Sequence, residues 1–175
     1  MPSLRTSVAG AQRTEPAATL AKHRAENFAV ASRFLPRSRR SDLMAIYGFA
    51  RTVDDAGDEG PGTPEERLRV LDELAADVDA ILGAGPAPGR PAHPLVRALI
   101  PVIGAHAIPP EPFHALIEAN RLDQTVTRYA TFADLRAYCA LSADPVGRLV
   151  LAVFDVSTPD LERLSDLVCT GLQIV

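Results

Sequence analysis

The feature that most constrains this chain is the spacing of its apolar residues, which follows the period of an α-helix almost throughout. One stripe of this kind consists of Leu68, Leu71, Leu74, Val78 and Ile81. Residues at this spacing lie on one face of a helix and can be buried together. No alternation of apolar and polar residues persists, although a half-buried β-strand would require it. The sequence therefore predicts an all-α bundle of antiparallel helices joined by short loops.

Proline and glycine divide the chain into separate predicted helices. The helices are expected over 20–34, 37–59, 64–82, 95–105, 111–124, 131–140, 145–154 and from 159 onward. Thr63-Pro64-Glu65-Glu66 has the order of an N-cap, a first-turn proline and an acidic first turn. Residues 83–94 contain three glycines and four prolines and are predicted to form a loop.

The chain is predicted to contain one domain, preceded by a leader. Residues 1–19 lack the apolar segment of a signal peptide and are expected to be disordered. Residues 20–175 are expected to form the amino-terminal part of a single helical domain. The apolar rhythm continues up to Val175, which predicts a truncation inside a helix. We therefore expect exposed apolar helix faces in the 175-residue chain alone.

Composition and charge exclude several classes of function. The net charge is −4, there is no Trp, and aromatic residues make up only 5%, so nucleic acid is not an expected partner. Cys139 and Cys169 fit no metal-binding spacing and are expected to be buried in a protein of a reducing compartment. No apolar stretch reaches the length of a membrane span, which predicts a cytoplasmic protein. A lipid substrate could still bring it to the inner face of a membrane.

The sharpest chemical feature is an acidic cluster at the end of the second predicted helix. At about 100° per residue, Tyr47, Arg51, Asp54 and Asp58 fall within an arc of roughly 60°. Each carboxylate at a helix carboxyl end costs about 0.3–1 kcal/mol, and a divalent cation would offset that cost. Magnesium binds one or two carboxylates together with phosphate oxygens, and Arg51 could hold a phosphate. The alternative is a solvated acidic helix end, and the spacing alone does not separate the two.

The motifs of the chain resemble those of the squalene/phytoene synthase family, in order and with the expected spacing. The first is an aromatic helix and a Leu-Pro stop followed by Tyr47, Arg51 and the run Asp54-Asp55-Ala56-Gly57-Asp58. The others are Leu122-Asp123 with Arg128-Tyr129 and Tyr138-Cys139, and Thr170-Gly171-Leu172-Gln173. This resemblance implies the all-α isoprenoid synthase bundle around a central cavity.

Two departures from the family pattern indicate one branch. The chain has Glu26-Asn27-Phe28 where the family usually has Ser-x-Ser-Phe. It has Ser142-Ala143-Asp144-Pro145-Val146-Gly147 where the family usually has Val-Ala-Gly-x-Val-Gly. Both are similar to the bacterial hopanoid-pathway branch, known as squalene or hydroxysqualene synthases. This implies that presqualene diphosphate, made from two farnesyl diphosphates, is converted to hydroxysqualene.

The resemblance also assigns expected roles for metal and diphosphate binding. Asp54 and Asp58 would bind Mg²⁺, and Arg51 would bind the diphosphate of a prenyl diphosphate substrate. Asn27 could replace a serine that contacts the diphosphate in the family. Other enzymes of the hopanoid pathway could associate with the protein.

The remaining assignments concern the walls of the cavity. Tyr47 and Tyr138 would line the cation cavity, Phe28 would form its wall, and Gln173 would lie near a second metal site. Each has a structural alternative, since the tyrosines could be core aromatics and Gln173 a capping polar residue.

Two further functions remain open at this stage. One is the head-to-head condensation of two farnesyl or geranylgeranyl diphosphates. The other is a non-catalytic role, as an inactive synthase-like fragment or an assembly partner that lacks the second aspartate-rich motif. The resemblance places that motif just past Val175, so it implies little or no turnover from the 175-residue chain alone.

Overall fold

Eight α-helices make up the regular structure of residues 35–58, 62–83, 85 and 92–175, which a computed structural model of the chain describes. In chain order they are α1 (Arg37–Gly57), α2 (Pro64–Leu82), α3 (Pro94–Arg97), α4 (Ile100–His106), α5 (Glu111–Asp123), α6 (Phe132–Ser142), α7 (Asp144–Val153) and α8 (Pro159–Ile174). No strand occurs in this part of the chain, which confirms the all-α class. The predicted leader 1–19 and helix 20–34 lie outside the described residues.

Three helices begin at threonine caps. Thr63 accepts a hydrogen bond from the backbone N–H of Glu66, and the Glu66 carboxylate accepts one from the backbone N–H of Thr63. Thr131 and Asp134 form the same reciprocal box before α6, and Thr158 caps α8. These bonds satisfy N–H groups that have no partner inside the helix. The predicted starts of α2 and α8 are confirmed.

The single helix predicted over 95–105 is wrong. The chain forms α3 and α4 instead, separated by a turn at Ala98 and Leu99. Pro101 has no N–H to donate to the carbonyl of Arg97, and its ring would collide with that carbonyl in a continuous helix. The Leu99 N–H bonds to the Val96 carbonyl at 3.0 Å, in the tighter three-residue pattern.

The core lies around α1 and α5. Phe49 of α1 and Phe113 of α5 are fully buried, and their rings meet edge to face with centroids 5.4 Å apart. α1 packs against α2, α3, α5 and α7, while α5 packs against α1, α2, α6 and α7. Other buried members of this core are Leu71, Leu74, Val78, Ile117, Leu149 and Val153. Packing of this core places the carboxyl end of α1 beside α5.

Polar contacts attach α8 to α7. Thr170 donates a hydrogen bond to the buried Asp144 at 2.9 Å. The guanidinium of Arg148 contacts both carboxylate oxygens of Asp166, at 3.0 and 2.6 Å. Because α8 also packs against α6, its position relative to the end of α1 is fixed through these two helices.

The other side of α8 is apolar and exposed. Leu164, Leu167 and Leu172 are 49%, 53% and 75% exposed. This confirms the expectation that the chain leaves an apolar helix face open to solvent. Cys139 is fully buried, as predicted, whereas Cys169 on α8 is only partly buried.

Candidate active site

The candidate site begins at the carboxyl end of α1, where no basic residue occupies the last turn. Asp58 is the C-cap residue, and its backbone N–H bonds to the carbonyl of Asp54 at 2.8 Å. The two side chains are therefore one helical turn apart on the same face. Their charges lie at the negative end of the helix dipole, which makes a nearby cation favourable.

Four helices contribute to a polar cleft of about 240 Å³ beside this helix end. Its lining residues are Asp54, Asp58, Leu116, Asn120, Asp123, Tyr138, Ser142 and Gln173. We call this the acidic cleft. Residues as far apart in sequence as Asp54 and Gln173 thus share one surface, because α1, α5, α6 and α8 converge there.

The surroundings of Asp54 perturb its carboxylate. Burial raises the pKa of Asp54 above its usual value, and the charge of Asp58 raises it further. A hydrogen bond from Asn120 Nδ2 to Asp54 Oδ1, 3.3 Å long, and the charge of Arg51 act in the opposite direction. Ionisation of Asp54 is thus less favourable in the protein alone than for an aspartate in water, and a bound cation would favour it.

A second carboxylate in the acidic cleft is held by a tyrosine. The hydroxyl of Tyr138 donates to Asp123 Oδ2 at 2.8 Å. Burial raises the pKa of Asp123, and the nearby charge of Asp58 contributes. Burial also raises the pKa of Tyr138, as does its bond to Asp123, so the tyrosine keeps its proton. The ring of Tyr129 supports that of Tyr138, with centroids 5.1 Å apart.

The last carbonyl groups of α1 are held by side chains from other helices. Gln124 Nε2 donates to the carbonyl of Gly57 at 3.0 Å and to that of Asn120 at 2.9 Å. Arg67 Nε of α2 donates to Gln124 Oε1 at 2.7 Å. These bonds join α1, α2 and α5, and they fix the helix end that carries Asp54.

The structure brings together only some of the residues that the sequence assigned to a site. Tyr138 and Gln173 line the acidic cleft with the aspartate pair, while Tyr47 and Arg51 of α1 are not among its lining residues. Both are partly buried, and Arg51 Nε forms an ion pair with Asp55 Oδ1 at 2.9 Å. The predicted substrate contacts Asn27 and Phe28 lie outside the described residues. The roles of all these residues remain predictions.

Sequence reasoning assigned no site role to Asn120, Asp123 or Ser142, although Asp123 and Ser142 stand in the motifs. The spacing of α5 held a signal for the first, because Asn120 continues the buried stripe of Phe113, Leu116 and Ile117. A polar residue on a buried stripe needs a partner, and here the partner is Asp54. Ser142 begins one of the motifs, but it reaches the cleft only because α6 packs on α5.

The donor set of the acidic cleft fits a magnesium ion that is shared with a phosphate-bearing ligand. Within the described residues, no group of three or more His, Cys, Asp or Glu side chains is arranged to enclose a metal by itself. Magnesium commonly binds through one or two carboxylates and takes its other ligands from water and substrate phosphates. Asp54 and Asp58 supply that number of carboxylates.

None of the helices described over 35–58, 62–83 and 92–175 is long and apolar enough to cross a membrane.

The chain forms an all-α bundle in which an aspartate pair at a helix end lines a polar cleft, as expected for an isoprenoid synthase. The chain belongs to the squalene/phytoene synthase family, whose family model matches residues 21–175. This confirms the resemblance drawn from the motifs, and the matching folds confirm the isoprenoid synthase bundle.

Three proteins show how the chain relates to this family. It is 38% identical over 152 residues to a hydroxysqualene synthase of Rhodopseudomonas palustris, covering 87% of this chain and 49% of that protein. It is 36% identical over 154 residues to one of Sinorhizobium fredii, covering 88% and 50%. The crystal structure of squalene synthase HpnC from Alicyclobacillus acidocaldarius superposes with a TM-score of 0.73 at 43% identity, covering 89% and 56%. The chain spans about half the length of these relatives.

Proposed function

We propose that the protein is a magnesium-dependent isoprenoid synthase that converts presqualene diphosphate to hydroxysqualene and releases diphosphate. The observation that carries this proposal is the acidic cleft, where Asp54 and Asp58 face Asp123, Tyr138 and Gln173. Similarity to proteins named hydroxysqualene synthase supports the choice of reaction.

Asp54 and Asp58 would hold the magnesium ion. When bound, the ion would neutralise negative charge on the diphosphate as it departs. Arg51 lies one helical turn before Asp54 and already lowers the pKa of Asp54 through its charge, so it adds positive potential near the proposed metal pair. We assign Arg51 to the diphosphate, although its guanidinium contacts Asp55 in the protein alone. Asn27 would add a contact to the same group.

The carbon skeleton would be held by the aromatic residues. Tyr47, Phe28 and Tyr138 would line the cavity in which the carbocation rearranges. The hydrogen bond from the Tyr138 hydroxyl to Asp123 would hold the Tyr138 ring in place at this wall. Gln173 lines the cleft from α8 and would orient the diphosphate or its metal.

Water and one residue of the cleft would account for every bond and proton in the step that forms the product. The bond between carbon and the diphosphate oxygen breaks, the cation rearranges, and the oxygen of a water molecule bonds to it. The proton of that water must leave. Asp123 is the cleft carboxylate outside the proposed metal pair, and its raised pKa makes it a suitable acceptor. Water is thus the only co-reactant in this proposal.

The prenyl diphosphate is the proposed partner of the site. A substrate with such long hydrocarbon chains implies peripheral contact with the inner face of a membrane, while the protein itself stays cytoplasmic. Association with other hopanoid-pathway enzymes would pass this apolar substrate and product between active sites.

The test is to incubate the full-length protein separately with farnesyl diphosphate and with presqualene diphosphate, each with and without Mg²⁺, and to identify the products. We expect hydroxysqualene from presqualene diphosphate only when Mg²⁺ is present. Conversion of farnesyl diphosphate to presqualene diphosphate, squalene or a phytoene-type product would instead establish the condensation reaction. The absence of turnover on both substrates would favour a non-catalytic assembly partner.

A further inference from the structure

We propose that Asn120 is a positioning residue for Asp54, and that Gly57 provides the space which this role requires. The proposal rests on the metal-binding role assigned to Asp54 under the proposed function. It adds Asn120, which lies outside the aspartate-rich motif, and gives Gly57 a role within that motif; both act on the metal only through the Asp54 carboxylate.

The amide of Asn120 has one orientation that satisfies its surroundings. Its Nδ2 donates to Asp54 Oδ1 at 3.3 Å and to the carbonyl of Leu116 at 3.1 Å. Both partners are acceptors, so the reversed amide would place its oxygen against two other oxygens. Asn120 is only 6% exposed, so without these partners its buried amide N–H groups would have neither water nor a protein acceptor. The contact with Asp54 is therefore built into the core.

Gly57 is the residue that makes this contact sterically feasible. A Cβ added at position 57 would lie 2.2 Å from Asn120 Oδ1 and 3.0 Å from its Cγ. Real Cβ atoms are not found at such distances, so the side chain of Asn120 would have to move. The glycine in the Asp54-Asp55-Ala56-Gly57-Asp58 run thus leaves room for an amide that reaches across from α5.

The main chain on both sides of this contact is held as well. Gln124 Nε2 donates to the carbonyl of Gly57 and to that of Asn120, at 3.0 and 2.9 Å. The end of α1 and the middle of α5 therefore keep their separation. A hydrogen bond 3.3 Å long across this gap can then orient the Asp54 carboxylate in a defined way.

The hydrogen bond from Asn120 leaves the second oxygen of the Asp54 carboxylate for a metal ion. A carboxylate has two oxygens, and Asn120 contacts Oδ1, so Oδ2 and the remaining lone pairs are available to a cation. Fixing one oxygen limits the rotation of the carboxylate before the metal arrives. Removing hydrogen-bond partners of this kind typically lowers metal affinity by about 10- to 100-fold.

The test measures the binding of Mn²⁺ to the full-length protein without substrate. Mn²⁺ is a paramagnetic substitute for Mg²⁺, so electron paramagnetic resonance detects the bound ion. The variants are Asn120→Leu, which keeps the branched shape of the side chain but removes the donor, Gly57→Ala, which displaces the amide, and their combination. Glu118→Gln, exposed on the same helix, is the matched control. Thermal unfolding of each variant shows whether it is folded.

We expect Asn120→Leu and Gly57→Ala each to weaken Mn²⁺ binding about 10- to 100-fold and to change the spectrum of the bound ion. The double variant should bind no more weakly than Asn120→Leu, because both changes remove the same contact. Glu118→Gln should bind like the unmodified protein. If Asn120→Leu does not fold, Gly57→Ala decides, since it leaves every polar group in place.

Asp54→Asn separates the two ways in which the idea can fail. If Asp54→Asn abolishes Mn²⁺ binding while Asn120→Leu and Gly57→Ala bind within about twofold of the unmodified protein, the positioning role is wrong and the metal role stands. If Asp54→Asn leaves Mn²⁺ binding unchanged, the metal role itself is wrong, and the positioning role falls with it.

Discussion

Replacing Asp54 by Asn should make the protein more stable and inactive at the same time. The substitution keeps the shape of the side chain and leaves Oδ1 to accept from Asn120. It removes a negative charge from the carboxyl end of α1, where burial and Asp58 raise the pKa of Asp54. A charge at this end of a helix costs about 0.3–1 kcal/mol, which sets the expected gain in unfolding free energy at neutral pH.

The gain should depend on pH in a defined direction. Folding raises the pKa of Asp54 above its value in the unfolded chain. The stabilisation linked to protonated Asp54 is therefore fully present below the pKa of the unfolded chain, and it is lost as the pH rises through the pKa of the folded protein. Asn does not titrate. The difference between Asp54→Asn and the unmodified protein should therefore be largest at neutral pH and should shrink on acidification.

The assay combines thermal unfolding with product formation. A gain of about 1 kcal/mol raises Tm by about 2–4 °C in a protein of about 150–250 residues. Turnover should fall by at least about 100-fold, the usual effect of removing one preorganised electrostatic group from a site. Asp160→Asn, in the first turn of α8, is the control, and there the loss of charge should lower stability. A lower Tm for Asp54→Asn, or unchanged turnover, would refute the reasoning.

Four other substitutions test the packing and the ionic contacts. Phe113→Ala empties a fully buried site and should cost about 3–5 kcal/mol in urea unfolding; a cost below about 1 kcal/mol would contradict the core described for α1 and α5. Gly147→Ala should cost about 1–3 kcal/mol, because its Cβ would lie 2.2 Å from a side-chain oxygen of α8. Gly104→Ala, with open space at its Cβ, should instead gain roughly 0.5–1 kcal/mol, and equal effects would be inconsistent with the close approach of α7 and α8. His106→Ala should lower Tm more at pH 6 than at pH 9, since the hydrogen bond to Asp155 raises the pKa of His106 and this stabilisation is lost as pH rises through that value; a pH-independent loss would disprove the ionic role.

The sequence predicted most of the helices because their ends are determined locally. Thr63 and Glu66 form the capping box that their spacing indicates, and Thr158 caps α8 by accepting a hydrogen bond from the backbone N–H of Leu161. The prediction for 95–105 is wrong because the helical spacing of its apolar residues continues across Pro101, where a proline disfavours a continuous helix. A proline inside a helical pattern is itself a local signal, so this break could have been found from the sequence.

The candidate site was less accessible to prediction. The pair Asp54 and Asp58 follows from helical spacing, since both residues belong to one helix. The contact between Asp54 and Asn120 joins residues that are 66 positions apart, and only the packing of α1 on α5 brings them together. Arg51 forms an ion pair with Asp55, four residues further along, although helical spacing also places Asp54, three residues further along, next to it. Spacing alone does not decide which of the two carboxylates Arg51 contacts.

The most direct test of the proposed function follows the oxygen atom of the product. The full-length protein is incubated with presqualene diphosphate and Mg²⁺ in water enriched in ¹⁸O, and the product is analysed by mass spectrometry. Capture of the cation by water predicts hydroxysqualene carrying one ¹⁸O atom in its hydroxyl group, together with released diphosphate. A hydrocarbon product without oxygen, or hydroxysqualene formed equally well without Mg²⁺, would contradict the account.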